Sequence, residues 1–391
     1  MRADIDRRAM AALSSGHLAT DFAGGALPAL LPFLKDRFGL SYTLTAVLVL
    51  ASQLSSSLVQ PLFGLWSDRR GALWLLPAGV ATAGVGMALA ADAPTYPLVV
   101  LCVLVGGLGI AAYHPEASKF ALYASGRRRA SGMSLFSIGG NLGYAVAPLV
   151  TTQLVLSFGL RGGLLLALPG LAVAAALLAL RRFLASFAPT SRHGGAADAH
   201  DRMGAEVLLL AVIAFRSVAW FGLITFVPLW EISLGHSKAH GGRLLALMLL
   251  CGGIGTLVLG PLADRVGRRP VLLGSVAVTG PAVLVYVAVG GPLGAVALGV
   301  VGASVVGTFG VSMVMSQEYL PRHVGVASGL VIGLSLGLGG VAAVALGLLA
   351  DAVDLRTALY ACAVAPVVAV ALGVFLPASG EGKLEPELVV P

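Results

Sequence analysis

The sequence predicts an all-α integral membrane protein, with twelve transmembrane helices arranged as two six-helix, pseudo-symmetric halves. Three observations predict it. Of the 391 residues, 58% are hydrophobic and only 11% charged, and the mean hydropathy is +0.93; a soluble domain carries about 25% charged residues. Apolar runs of about 20 residues recur along the chain, each long enough to cross a hydrocarbon core roughly 30 Å thick as a helix. A charged phrase is written twice, as GLWSDRRGAL at Gly64 to Leu73 and GPLADRVGRR at Gly260 to Arg269, and its aspartates lie 264 − 68 = 196 positions apart, half the chain.

The runs follow in order, separated by charged or Pro/Gly breaks. The first half holds spans 9–34, 42–66, 72–91, 96–123, 130–157 and 161–183. Lys35 to Arg37 close the first, the first charged phrase closes the second, and three arginines at 127–129 close the fourth. The polar stretch 185–204, ASFAPTSRHGGAADAHDRMG, is read as a cytoplasmic linker between an amino-terminal bundle, 1–184, and a carboxy-terminal bundle, 205–391. The second half holds spans 205–234, 242–263, 270–290, 293–319, 324–349 and 354–376, with the weakest break between 290 and 293. A further echo supports the repeat: ASG at 130–132 recurs at 327–329.

Short loops rich in Lys and Arg stay in the cytoplasm. With the amino terminus inside, seventeen Lys and Arg fall on the cytoplasmic side and six on the other. Both termini are therefore expected in the cytoplasm. The net charge of +7 punctuates helices and forms no continuous basic face, so nucleic acid is not an expected partner. Cys102, Cys251 and Cys362 all fall within spans, which argues against a disulfide framework. The two aspartates in MRADIDRRAM and the length of the first span argue for an uncleaved first helix.

Ionisable groups inside a bilayer cost roughly 2.5 to 3.5 kcal/mol each on insertion scales, so each one needs a reason. His17 and Asp21 lie in span 1, His114, Glu116 and Lys119 in span 4, Arg216 in span 7, and Gln317 with Glu318 near the end of span 10. Measured along helices rising 1.5 Å per residue, Asp21, His114, Glu116 and Arg216 reach similar depths and could share one layer. His17 and Asp21 share a helix face, and Glu116 and Lys119 are spaced to pair. A neutralising pair, or a ring serving carbonyls freed by Pro115, would be the purely structural account of Glu116 and His114. A guanidinium stays charged when partly desolvated, which suits Arg216 to holding an anion. Trp220 could form an aromatic wall, and Asn141 lies in SIGGNLGYAVAPLV, where Gly139, Gly143 and Ala147 make a close-packing face.

The phrases GHLATD (16–21), SSLVQPLFGLWSDR (56–69), AYHPEASK (112–119), GGNLG (139–143), GPLADRVGRR (260–269) and SQEYLPRHVGVASGL (316–330) together resemble the fosmidomycin-resistance family of major facilitator antiporters. In that fold the first and fourth helices of each half line a central cavity, and substrate binds between the halves. The resemblance implies proton-driven efflux of a small, often anionic or phosphonate-like compound by alternating access, giving drug resistance with no cofactor beyond the proton gradient. It implies Asp21, His114, Glu116 and His17 as proton-coupling groups. Arg216, Trp220, Asn141 and Gln317 become substrate-binding candidates. Gly64, Asp68, Arg69, Gly260, Asp264, Arg265 and Glu318 become gating candidates. Ala147 stands where the family's fifth-helix motif usually has glycine before proline, and the first charged phrase lacks the basic pair of the second. The partners implied are a small-molecule substrate and lipid, with a monomer as the working unit. An uptake symporter is the alternative, because the same buried carboxylates serve either direction. A membrane metalloenzyme built on His17, Asp21, His114 and Glu116 is a remote one, since no H-E-x-x-H helix accompanies the set.

If Asp68 and Asp264 latch the cytoplasmic side, Asp68→Asn should shift the population toward inward-facing states. A cysteine in the cytoplasmic cavity should then label faster; unchanged labelling in both single mutants and the double mutant leaves the loops a topological role alone.

Overall fold

The computed structural model describes residues 4–70, 72–126, 128–187 and 201–377. The side chains of Asp68 and Arg69 and most of the 185–204 linker fall outside the described residues.

Twelve membrane-length helical stretches run through the described residues. We number them α1 (Arg7–Phe38), α2 (Tyr42–Trp66, its helix running on to Arg70), α3 (Leu75–Asp92), α4 (Tyr96–Ala124), α5 (Arg129–Phe158), α6 (Leu160–Ala179), α7 (Met203–Ser233), α8 (Lys238–Val266), α9 (Arg268–Val289), α10 (Gly291–Tyr319), α11 (Val324–Ala352) and α12 (Leu355–Gly373). Ten of these qualify on length and composition as membrane-crossing, and α11 carries the apolar stretch Gly337–Ala352. α1 is long enough but carries the arginines of its first turn and the polar set Ser14, Ser15, His17, Thr20 and Asp21.

Local sequence sets the ends. Asp6, Ser41, Ser237 and Asp354 each accept a hydrogen bond from a first-turn backbone N–H, satisfying donors that a helix cannot satisfy itself. Gly39 closes α1 in the left-handed conformation at φ 59°, with its N–H on the Lys35 carbonyl. The weakest predicted break is made by two glycines: Gly290 (φ 64°) and Gly291 (φ 56°) turn the chain between α9 and α10. In α2 the ladder widens to a π turn over Leu54–Leu58, where the Ser55 hydroxyl donates to the Ala51 carbonyl at 2.9 Å.

The repeat seen in the sequence is a repeat of packing. In the first half α1 lies on α5, α2 on α4, and α3 on α4 and α6; six helices later α7 lies on α11, α8 on α10, and α9 on α10 and α12. The halves meet through the pairs α2 with α11 and α5 with α8. At the end bearing the α1–α2 and α7–α8 turns they are also bonded across. Asp351 of α11 accepts from the Tyr42 and Thr43 amides at 2.8 and 2.9 Å and from the Thr43 hydroxyl at 2.6 Å. Lys238 pairs with Asp36 and lies over the Phe33 ring. A large apolar cluster spans both halves, and smaller clusters sit within each half. Large side chains such as Leu58, Val296, Val364 and Phe375 remain exposed, as lipid-facing positions require.

In the first half, α1 and α5 pack with their backbones close together. A Cβ at Gly139 would lie 2.3 Å from the Ser14 carbonyl oxygen, and one at Gly143 would lie 2.1 Å from that of Leu18. The glycines of GGNLG therefore pack backbone on backbone, as their spacing predicts. Gly143→Val should destabilise the protein by at least about 1–3 kcal/mol through overpacking, read as a lowered Tm in detergent. Gly274→Ala, at a position with nothing within 4 Å, should leave Tm unchanged.

Candidate functional site

Where α1, α4 and α5 meet, three titratable side chains converge. Asp21 Oδ1 lies 3.1 Å from His114 Nε2, and Asp21 Oδ2 lies 3.2 Å from His17 Nε2. Each imidazole is oriented from its far side. His17 Nδ1 donates to the Phe136 carbonyl at 2.9 Å, and His114 Nδ1 donates to the Ile110 carbonyl at 2.9 Å. The His17 ring also stacks on Phe136 at 4.2 Å. Tyr113, next to His114, donates to the Leu13 carbonyl at 2.5 Å and ties α4 to α1 one turn away.

This geometry restricts where protons can sit. A carbonyl only accepts, so Nδ1 of both imidazoles must carry hydrogen, and both Nε2 atoms face the carboxylate. With no proton on either Nε2···Oδ line, lone pairs face lone pairs. One proton makes one hydrogen bond. Two protons satisfy both lines as a carboxylate between two imidazolium rings. The cluster thus changes charge by one with each proton taken up or given. His17, Asp21 and His114 also bring three donor atoms within 4.8 Å of one another.

The other predicted residues take partners outside this cluster. Glu116 is buried on α4 and pairs with Lys119 at 2.7 Å, the i,i+3 partnership that the spacing predicts. Arg216 is 3% exposed inside the second half, where its Nη1 donates to Thr308 at 3.0 Å and Ser312 at 3.1 Å on α10. No carboxylate pairs with it among the described residues, and its Nε has no partner there. Trp220 is half-buried against the large core. Asn141 borders the α5–α8 crossing, 3.3 Å from where a Cβ on Gly253 would stand. Gln317 is half-buried near the end of α10.

Among the gating candidates, Glu318 pairs with Arg268, so α10 is tied to the start of α9 within one half. Asp264 and Arg265 are exposed. Gly64 faces Pro115 on α4, and nothing lies within 4 Å of a Cβ placed on Gly260.

Sequence reasoning missed Glu206, Phe136 and Gly140. Glu206 is fully buried in the first turn of α7, with Oε1 accepting from Ser316 at 2.7 Å and Oε2 unpartnered. An acid inside a predicted span was a sufficient signal for it. Phe136 and Gly140 lie one turn apart on α5 and gave no such signal, because they work through a carbonyl and a missing side chain.

The family model described as Major Facilitator Superfamily matches residues 13–344 and, separately, 209–388. The chain is 31% identical over 368 residues to an uncharacterized MFS-type transporter, YfnC, of Bacillus subtilis (strain 168), an alignment covering 90% of this chain and 89% of the relative. It is 28% identical over 379 residues to the fosmidomycin resistance protein of Escherichia coli (strain K12), with 94% and 92% covered. Among solved structures, a bacterial homolog of the human lysosomal transporter Spinster superposes with TM-score 0.76 at 17% identity, over 94% of this chain and 96% of that one. A mutant of the nucleoside transporter NupG gives 0.75 at 13% identity, over 94% and 99%.

A Cβ on Gly140 would lie 2.4 Å from His17 Nε2 and 2.6 Å from Asp21 Oδ2. Gly140→Ala should therefore disrupt the three-residue cluster and cut transport as deeply as Asp21→Asn, although it changes no ionisable group. Gly24→Ala, whose Cβ would meet the Ile110 side chain at 3.4 Å, should retain activity. Transport assays on the three folded variants check this.

Proposed function

Because the chain belongs to the major facilitator superfamily, whose family model covers most of its length, and resembles a fosmidomycin resistance protein along 94% of it, we propose that this multi-pass membrane transporter is a proton-coupled exporter. Its substrate is a small anionic or phosphonate-like compound, moved out across the bacterial inner membrane, with both chain termini in the cytoplasm.

The observation that carries the reading is the carboxylate of Asp21 held between two imidazoles whose other nitrogens are fixed on carbonyls. Such a cluster takes up and releases protons at fixed atoms, which is what coupling to a proton gradient requires. Its position on α1 and α4 supports this, since in this fold substrate sites lie near the midplane between halves. The ion pair of Glu116 with Lys119 is a second store of charge on the same helix. Arg216 supplies a permanent cation in the opposite half, with donor capacity beyond Thr308 and Ser312.

Alternating access then follows from the two helix pairs joining the halves. The bonds of Asp351 and Lys238 lie at the end that the positive-inside rule assigns to the exterior. The described conformation is thus read as closed toward the outside. Export, rather than uptake, is favoured by the name of the resistance relative, because lowering the internal concentration of a toxic compound is what resistance by transport demands.

The test uses full-length protein in proteoliposomes with fosmidomycin as the probe anion and a trapped pH indicator. Substrate movement should run against an opposing proton flux. Asp21→Asn and Glu116→Gln should abolish gradient-driven accumulation while leaving downhill exchange, and Arg216→Ala should remove binding of the anion. Substrate and protons moving in the same direction overturns export in favour of uptake by symport. Full gradient-driven transport in both acid variants overturns the coupling assignment.

A further inference from the structure

At the other end of the protein from the chain termini, a second cluster of metal-binding side chains stands apart from the proton site. Glu231 in the last turn of α7, His236 in the α7–α8 turn and His240 in the first turn of α8 place one ligand atom each within 4.8 Å of the others. His236 Nδ1 is 2.6 Å and His240 Nε2 is 3.4 Å from the same atom, Glu231 Oε2. We propose that Glu231, His236 and His240 form a binding site for a divalent first-row transition metal, of which Zn²⁺ is the type.

Donor chemistry selects the class. Two imidazole nitrogens with one carboxylate oxygen suit zinc and its neighbours, whereas calcium and magnesium require oxygen ligands. The distances are close to those needed. Tetrahedral zinc, with bonds of about 2.0–2.1 Å to nitrogen and oxygen, holds its donor atoms about 3.3 Å apart. The His240 to Glu231 distance of 3.4 Å meets this already. The His236 to Glu231 distance of 2.6 Å is that of a hydrogen bond, and exchanging its proton for an ion requires the two atoms to part by about 0.7 Å. Three protein ligands leave a fourth position for water.

The surroundings orient the donors. Tyr286 donates to Glu231 Oε1 at 2.8 Å, which fixes the carboxylate and leaves Oε2 facing the histidines, an outer-shell role of the kind that supports metal ligands. The His236 backbone N–H donates to the Glu231 carbonyl at 2.9 Å, with Gly235 at φ 86° making the turn. The His240 N–H is capped by Ser237. The backbone therefore fixes all three ligands relative to one another. The carboxylate is buried, while the rings are 50% and 38% exposed, so an ion has an approach from solvent. Lys238 lies between the two histidines in sequence, but its ammonium is engaged by Asp36.

Isothermal titration of the full-length protein in detergent with Zn²⁺, and with Co²⁺ for its visible ligand-field spectrum, tests the site. The histidines are exposed, so His236→Ala and His240→Ala are expected to fold, and unchanged elution and Tm verify it. Each should weaken binding by more than the roughly 10- to 100-fold that an outer-shell partner such as Tyr286 is worth, with Tyr286→Phe falling in that lower range. Asp21→Asn, which breaks the other cluster, should leave this binding unchanged, and Mg²⁺ should not compete. Absence of saturable Zn²⁺ binding overturns the proposal. So does binding that survives the His236→Ala/His240→Ala double variant, or binding lost in Asp21→Asn alone.

Discussion

The close approach of α1 to α5 is the constraint on which the rest of the amino-terminal half depends. Gly139 and Gly143 let one backbone touch the other, and Gly140, between them, leaves room for the Asp21 carboxylate and the His17 ring. The same contact brings the Phe136 carbonyl within reach of His17 Nδ1 and so fixes which imidazole nitrogen faces Asp21. A side chain at any of the three glycines would move α1 away and break a hydrogen-bond geometry made by backbone atoms. Small residues here do more than pack. They set the protonation pattern of a cluster to which they contribute no polar side chain.

The two halves use buried charge differently. In the first half, the carboxylate and imidazoles offset one another, so desolvation is balanced locally. In the second, Arg216 is buried with hydroxyls from Thr308 and Ser312 but no acid among the described residues, an arrangement that costs stability unless an anion completes it. Glu206, buried one helix turn inside α7 with one oxygen unpartnered, repeats the imbalance with the opposite sign. α7 therefore holds a buried cation and a buried acid, neither with an ionic partner among the described residues, whereas its repeat counterpart α1 sets its carboxylate against two imidazoles.

Much of this was legible in the sequence, and the failures have a common cause. Run length and charged breaks predict the twelve helices, and even the weak break at residue 290 is a real turn made by two glycines. Spacing predicts the His17 and Asp21 face and the Glu116 pair with Lys119. Depth along a helix does not fix the direction in which a side chain faces. Each residue advances 1.5 Å but turns about 100°, so an error of two residues barely changes height and reverses the facing direction. Arg216, expected at a depth similar to that of Asp21, therefore packs against α10, and Glu116 turns to Lys119 while His114, two residues earlier, reaches Asp21. A π turn such as that at Leu54–Leu58 shifts azimuth again without a compositional trace. Gly140 and Phe136 were illegible for another reason: their contributions are an absent side chain and a backbone carbonyl.

The contact of Asp351 with the start of α2 has a consequence for how readily the halves can part. Its partners are two amides and a hydroxyl, all of which water can serve nearly as well once the gap is wet. The clasp is a trade between protein and solvent donors for one carboxylate, with the end of a helix dipole favouring the anion in place. Separation therefore strands no charge in an apolar setting, and the neutral partners leave ionic strength little to act upon. The neighbouring ammonium of Lys238, paired with Asp36, behaves in the opposite way and weakens as salt rises. The seam is thereby built from one fastening whose partners are neutral and one that joins two opposite charges.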